Sequence, residues 1–315
     1  MTDTASDKPL SIAHRGAANL WPENTLYAFE RAIAAGVDGI ELDVQLSADG
    51  QLMVHHDAQL KPEATQKGGQ FLTAPTPRLD ALTTQELAAY EVGQLQADSP
   101  YGARRQGREN KAGLTIPSLA EVEALIAATA KSDFRLYCEL KTDMRADPQQ
   151  SLRLAEAYLA ALESSPIAAQ HIVISFDWRC LARVRAARPD IAHAYTTMAF
   201  TETDPDHPSA AHDKGLAAAI RAASRDGAPW WDCADWRDQP GKSHGEKVLR
   251  AIQAQGGRGW FAEQSDITAE NMALADRLGL AVGVWTVNRP DTMRHCARLG
   301  VAAIITDRPD ILSEI

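Results

Sequence analysis

The chain has 315 residues, 45% of them hydrophobic and 23% charged, which is enough apolar material for a large buried core and excludes a disordered chain. Its 32 Lys and Arg against 42 Asp and Glu leave a formal charge of −10, which repels a phosphate backbone, so no nucleic-acid partner is expected. The four cysteines, Cys138, Cys180, Cys233 and Cys296, form no CxxC pair, which excludes the usual zinc spacings.

The N-terminus, MTDTASDKPL, lacks both a basic start and an apolar h-region, and no later run approaches 18 apolar residues. A cytoplasmic protein without stable membrane insertion is expected. Oligomeric state is not legible in the sequence.

Strand-like runs at 11–14, 38–44, 134–140, 171–176, 191–196, 258–262, 281–286 and 302–306 alternate with amphipathic stretches of helix length. Eight parallel strands with helical crossovers predict an α/β fold, a closed TIM (β/α)8 barrel forming a single domain over 1–315. In the first crossover, Asn24 is placed to cap a helix, Leu26, Phe29 and Ile33 share a face, and Gly36 ends it. After the second strand, VQLSADGQLMVHHD predicts a β-hairpin turning at Asp49-Gly50, pairing 48 with 51, 46 with 53 and 43 with 56.

Residues 57–117 are polar and rich in Pro and Gly, and read as a long loop insertion capping the barrel mouth, with a helical stretch near 83–92. Their basic cluster ARRQGRENK, 103–111, reads as a solvated, mobile charge run rather than a guide for anions. The stretch 201–245, with PWWDCADW, is expected to be irregular. Residues 229–233 compete with 258–262 for the sixth strand, and the clean helix and strand that follow favour 258–262. The last crossover, with Met293, Cys296 and Leu299 before Gly300, is helical.

Polar residues gather where the strands end, at AHRG, ELDV, CELK, ISFDW, GVWTVN and IITDRP, which in a barrel is the catalytic rim. In GIELDV the two-residue period puts Ile40, Leu42 and Val44 on one face and Glu41 and Asp43 on the other. If the apolar face packs on helices, both carboxylates point into the barrel, where left unpaired they would cost several kcal/mol or hold a proton. A bound cation removes that cost. Glu139 completes a set of three oxygen donors suited to Mg²⁺ or Ca²⁺. The alternative is a salt bridge, with Lys141, on the same face as Glu139, as the partner.

The hairpin register puts His56 opposite Asp43 and turns His55 away as a surface or packing residue. His14, at the end of the first strand, is the second imidazole expected at the acidic cluster.

The ordered set HRG, PENT, ELDV, HHD, CELK, ISFDW, WTVN and GVAAIITDRPD, from about residue 11 to 312, resembles the glycerophosphodiester phosphodiesterase family. The resemblance implies a TIM-barrel enzyme that cleaves small-molecule glycerophosphodiesters to glycerol 3-phosphate and an alcohol with one divalent cation. It implies Glu41, Asp43 and Glu139 as metal ligands, His14 and His56 as the general acid and base, and Arg15 and Lys141 as phosphate contacts. Glu23 and Asn24 stand at the PENT positions as site support, and Trp285, joined by Phe176, lines the substrate pocket. Members often follow HD with an Arg-Thr-Thr element, whereas this chain reads HDAQLKPEATQKGG, so the family does not specify how its cap meets the leaving group.

Family likeness favours attack by the neighbouring glycerol hydroxyl, through a cyclic phosphate, over attack by water. Two rivals are a lysophospholipase D acting on lysolipids and a non-catalytic barrel binding a phosphorylated ligand. The first would show an apolar rim, for which Trp230, Trp231 and Trp236 are candidates, although packing between loop and barrel is the expectation for them.

Overall fold

A computed structural model of the chain describes residues 8–143, 147–232 and 234–315. Eight parallel strands form its centre: β1 (Leu10–His14), β2 (Gly39–Leu46), β3 (Arg135–Leu140), β4 (His171–Ser175), β5 (Ala192–Thr196), β6 (Gly259–Glu263), β7 (Ala281–Trp285) and β8 (Ala303–Thr306). Each pairs with the next, and β1 pairs with both β2 and β8, so the barrel is closed. The expected TIM barrel is the observed fold, with every strand within two residues of its predicted place.

The strand alternation separates two cores. Ala13, Ile40, Leu42, Val44, Leu136 and Cys138 face outward against the helices, while Ile12, Tyr137, Ile174, Phe261 and Ile305 fill the interior. Long helices follow the strands: α1 (Leu26–Ala34), α2 (Leu119–Thr129), α3 (Pro148–Ser164), α4 (Trp178–Ala187), α5 (Gly215–Arg225), α6 (His244–Ala254), α7 (Ala269–Arg277) and α8 (Pro290–Arg298). None of the helices among the described residues is long and apolar enough to cross a membrane.

Local chemistry departs from the sequence reading at several points. The α1 cap is Thr25, whose hydroxyl accepts from the Ala28 amide, and Asn24 sits just before it in the left-handed region at φ 55°. The buried face of α1 is Ala28, Phe29 and Ala32, and Leu26 stays exposed.

The hairpin returns through Leu52–Val54 one residue out of the expected register, pairing Val44 with Val54 and Leu46 with Leu52. The Ser47 amide donates to the Gln51 carbonyl, closing a three-residue loop in which Gly50 takes φ +79°, a geometry that Gly adopts without Cβ strain. His55, not His56, therefore lies across from Asp43, and its amide donates to the Asp43 carbonyl.

Within the insertion, the predicted helix near 83–92 shrinks to one turn, Thr84–Leu87, held by a Thr83–Glu86 capping box. Tyr90–Glu91 instead pairs with Gln66–Lys67 in a three-stranded sheet, because Tyr90 is drawn into a small core with Leu60, Leu79, Leu87 and Ile116. The stretch after β5 is more ordered than expected: the alanine-rich α5 occupies it, and Pro229–Trp231 forms a single 3₁₀ turn, leaving the sixth strand to 259–263.

Trp230, Trp231 and Trp236 are buried, Trp231 stacking on Trp178 at 4.7 Å, so they form no exposed rim. Cys138, Cys180 and Cys296 are free, buried thiols, and Cys233 lies outside the described residues.

Candidate active site

The pairing register brings the acids together. Glu41 sits beside His14 across the β1–β2 pair, and Asp43 sits beside Glu139 across β2–β3. Because the outward face of β2 is apolar, Glu41 and Asp43 turn inward, and with Glu139 they offer carboxylate oxygens all within 4.8 Å of one another, all three residues buried.

The positive groups around them are fewer than full neutralisation needs. Arg15 Nε lies 3.2 Å from Asp43 Oδ2, Lys141 Nζ bonds Glu139 Oε1 at 2.9 Å, and Lys141 stands 3.7 Å from Asp43 Oδ1. The salt bridge weighed as the alternative to a metal site is thus present, yet it leaves Glu41 without a strong cation. Burial, then the neighbouring Asp43, pushes the Glu41 carboxyl up to about 8. Burial would raise Asp43 too, but Arg15, His56 and Lys141 outweigh it and hold that carboxyl well below the usual range.

Asp43 Oδ1 is buried without a hydrogen-bond partner. An orphaned carboxylate oxygen, two further carboxylates within reach and an all-oxygen donor set fit a hard divalent cation. The set matches the ligand type of Mg²⁺ or Ca²⁺.

His14 is held at its other nitrogen: Nδ1 is 2.6 Å from Asp307 Oδ1, and Nε2 points toward Glu41 Oε2 at 3.8 Å. Asn288 steadies Asp307, donating to its Oδ2 at 2.8 Å and accepting from its amide. His56 reaches the same pocket by another path. The Gln45 amide nitrogen lies within 3.0 Å of the carbonyls of His55, His56 and Asp57, bending the chain after the hairpin so that His56 faces the acids despite the shifted register. Its charge acts on Asp43, and its Nδ1 lies 3.0 Å from Asp57 Oδ1. His55 packs beneath the insertion, where burial pushes its imidazole down to about 4.

The turn after β1 is built from unusual backbone. Arg15, Ala17 and Asn24 all have positive φ, as does Gly16 at +80°. A Cβ on Gly16 would come within 2.8 Å of Ala28, so the close approach this glycine permits is to α1. The strained turn directs the Arg15 amide to Glu41 Oε2 at 3.1 Å and frees the Asn24 side chain to donate to Asp43 Oδ2 at 3.0 Å.

Glu23 accepts from Arg15 at 2.9 Å and from the Tyr101 hydroxyl at 2.5 Å, and pairs with Arg105 at 3.0 Å. Tyr101 and Arg105 belong to the insertion. The basic cluster is therefore docked in part: Arg105 also bonds Asn19 and Arg108 is buried against the Gly93 carbonyl, while Arg104 and Lys111 stay exposed. The sequence reading of a solvated run is corrected, because its acidic partners lie on the rim far away in sequence.

Phe176 and Trp285 pack edge to face at 5.5 Å, and Lys141 Nζ lies 5.8 Å from the Phe176 ring, so the aromatic pair borders the acids. Asp307, Asn288, Tyr101 and Arg105 were not assigned roles from sequence. Asp307 could have been, since it directly follows β8 at the same rim. Tyr101 and Arg105 sit in irregular sequence that carries no such signal.

Comparison with known proteins adds an independent line. A model of the "Glycerophosphoryl diester phosphodiesterase family" matches residues 14–311. A glycerophosphodiester phosphodiesterase of Caldanaerobacter subterraneus subsp. tengcongensis is 28% identical over 305 residues, covering 97% of this chain and 96% of its own. The crystal structure of a candidate glycerophosphoryl diester phosphodiesterase from Silicibacter pomeroyi DSS-3 superposes with a TM-score of 0.80 at 30% identity, covering 98% of this chain and 94% of its own. An Oleispira antarctica phosphodiesterase, solved with the product sn-glycerol-3-phosphate, shares the fold at 22% identity and a TM-score of 0.67, covering 98% of this chain and 96% of that one. With the family matched from β1 to the C-terminal residues, this chain belongs to the glycerophosphoryl diester phosphodiesterase family and is a phosphoric diester hydrolase.

Proposed function

We propose that the chain cleaves glycerophosphodiesters to glycerol 3-phosphate and an alcohol, with a divalent cation held by Glu41, Asp43 and Glu139 and with His14 and His56 as the proton-transfer pair. The observation that carries this reading is the inward carboxylate trio with an unsatisfied Asp43 oxygen and an Asp307-bound histidine beside it. The activity for which the Caldanaerobacter relative is named supports the substrate class.

A cation bound by the trio supplies Lewis-acid stabilisation of charge on the phosphoryl oxygens. Arg15 and Lys141 contribute further positive charge at the same rim, Arg15 with its fork orientation set by Glu23. Asp307 keeps the His14 proton on Nδ1, which leaves Nε2 as the acceptor facing the pocket and suits His14 to be the base. His56 lines the cleft that leads outward from Lys141, where it is placed to protonate the departing alcohol. The nucleophile in this reading is the adjacent glycerol hydroxyl, giving a cyclic phosphate that water then opens. The 57–117 insertion acts as a cap anchored through Tyr101 and Arg105 to Glu23.

The test is release of glycerol 3-phosphate from glycerophosphoethanolamine, followed by phosphorus NMR. The reading predicts glycerol 3-phosphate as product, a transient cyclic phosphate, and a poor rate for the analogue lacking the glycerol 2-hydroxyl. An equally fast deoxy analogue rules out the cyclic route, and no turnover of any diester favours a phosphate-binding barrel.

A further inference from the structure

A cleft of about 610 Å³ runs outward from His56 and Lys141, between the hairpin, the start of α3 and the segment around α5. That volume lies within the range of small-molecule sites, roughly 300–1,000 Å³. Much of its lining is apolar: Leu46, Leu154, Met198, Leu216, Ile220 and Trp230. Leu216, on the first turn of α5, is 58% exposed, against 37% for Leu26, the other large exposed apolar residue among the described residues. Leu216 extends this apolar lining to the surface, in the same cleft as His56.

The polar edge of the cleft carries both signs of charge, Arg78, Lys141 and Arg153 beside Asp80 and Asp143. Arg78 bonds Asp80 through both Nε and Nη2, and Gln150 also donates to Asp80. At the inner end, Lys141 is paired with Glu139 at 2.9 Å and stands 3.7 Å from Asp43. A quaternary ammonium group is recognised by several aromatic faces. Besides the His56 imidazole, the one aromatic side chain lining this cleft, among the described residues, is the buried Trp230. The cleft therefore offers a hydrocarbon chain an apolar wall and offers a quaternary ammonium group no aromatic cage.

Resting on the proposed diesterase reading, we infer that this cleft holds the alkyl chain of the leaving alcohol, making the enzyme selective for glycerophosphodiesters of uncharged, extended aliphatic alcohols. The alcohol oxygen would lie at His56, and its chain would run along Leu154, Ile220 and Leu216.

The experiment is a series of sn-glycero-3-phospho-n-alkyl esters, ethyl to octyl, assayed below their micellar concentrations for glycerol 3-phosphate. The expected result is a kcat/KM that rises about two- to fourfold per methylene before levelling off, mainly through KM. Leu216→Glu should flatten that slope, read as the octyl-to-ethyl ratio within one preparation, which cancels differences in the amount of folded enzyme. The 3,3-dimethylbutyl ester, an uncharged match for choline in shape, should exceed glycerophosphocholine in kcat/KM. A flat alkyl series, an unchanged slope in Leu216→Glu, or preference for choline over its neutral counterpart overturns the inference. Failure of the ethyl ester itself to react, with every divalent cation tried, instead overturns the diesterase reading on which it rests.

Discussion

Two acidic clusters share Arg15, and they are satisfied to different degrees. On the outer rim, Glu23 is enclosed by Arg15, Arg105 and the Tyr101 hydroxyl. Burial alone would raise its carboxyl, but the two guanidinium groups hold it well below the usual range. One turn deeper, three carboxylates share Arg15 and Lys141, Glu41 is pushed up to about 8, and an Asp43 oxygen has no hydrogen-bond partner. The outer cluster is complete as it stands and works as a clasp between barrel and insertion. The inner one lacks a ligand of positive charge, and in the proposed reading that deficit, more than the acidity, makes it the reaction centre.

The largest expected effect comes from breaking the inner cluster. Asp43→Asn, Glu41→Gln or Glu139→Gln should each lower kcat/KM by at least about 10²–10³, with circular dichroism unchanged. His14→Ala and His56→Ala belong in the same range, about 10²–10⁴, and their pH–rate profiles should each lose one limb.

Asp307→Asn follows. Its amide can present a donor where the carboxylate accepted, so His14 loses the bond that fixes its tautomer. A fall of roughly 10–100-fold in kcat at nearly constant KM is expected. An unchanged kcat would show that His14 is held by other contacts.

Breaking the outer clasp should do less to the chemistry. Arg105→Ala should lower activity by about 3–10-fold and cost about 1–3 kcal/mol, with the main readout a faster proteolytic cut within 57–117. If Arg105→Ala instead silences the enzyme as fully as Asp43→Asn, the division between clasp and reaction centre fails.

A third acid shows what burial does without either arrangement. The Asp266 carboxylate accepts from the Phe200 amide and has no cation paired with it among the described residues, and burial pushes it up to about 7. A folded-state pKa raised above the unfolded value means that the folded chain binds the proton more tightly. The associated stability is present below about pH 4 and is lost as pH rises through about 7. Thermal melts should therefore fall by a few °C between pH 5 and 8, and Asp266→Asn should remove that part of the slope without touching activity.

The barrel was legible because each strand alternates or runs apolar in short, bounded segments, and the carboxylates were legible because Ile40, Leu42 and Val44 commit β2 to one orientation. What the sequence concealed was local backbone and distant pairing. The three-residue loop ending at Gly50 shifted the hairpin by one, and His56 reached the pocket through Gln45, a contact no pattern encodes. Asn24 reads as a helix cap by residue type, yet Asp43 claims its side chain and Thr25 caps instead. Arg105 looked solvated because Glu23 and Asp307, its partners, approach only in the folded barrel.

Titration of chelator-treated protein with Mg²⁺, Ca²⁺ and Mn²⁺ by calorimetry, beside glycerol 3-phosphate release at each point, tests the role of the inner carboxylates most directly. One ion bound per chain, with activity restored in step and both lost in Asp43→Asn, is the predicted result. Full activity after chelation, or an ion bound equally well by Asp43→Asn, would contradict it.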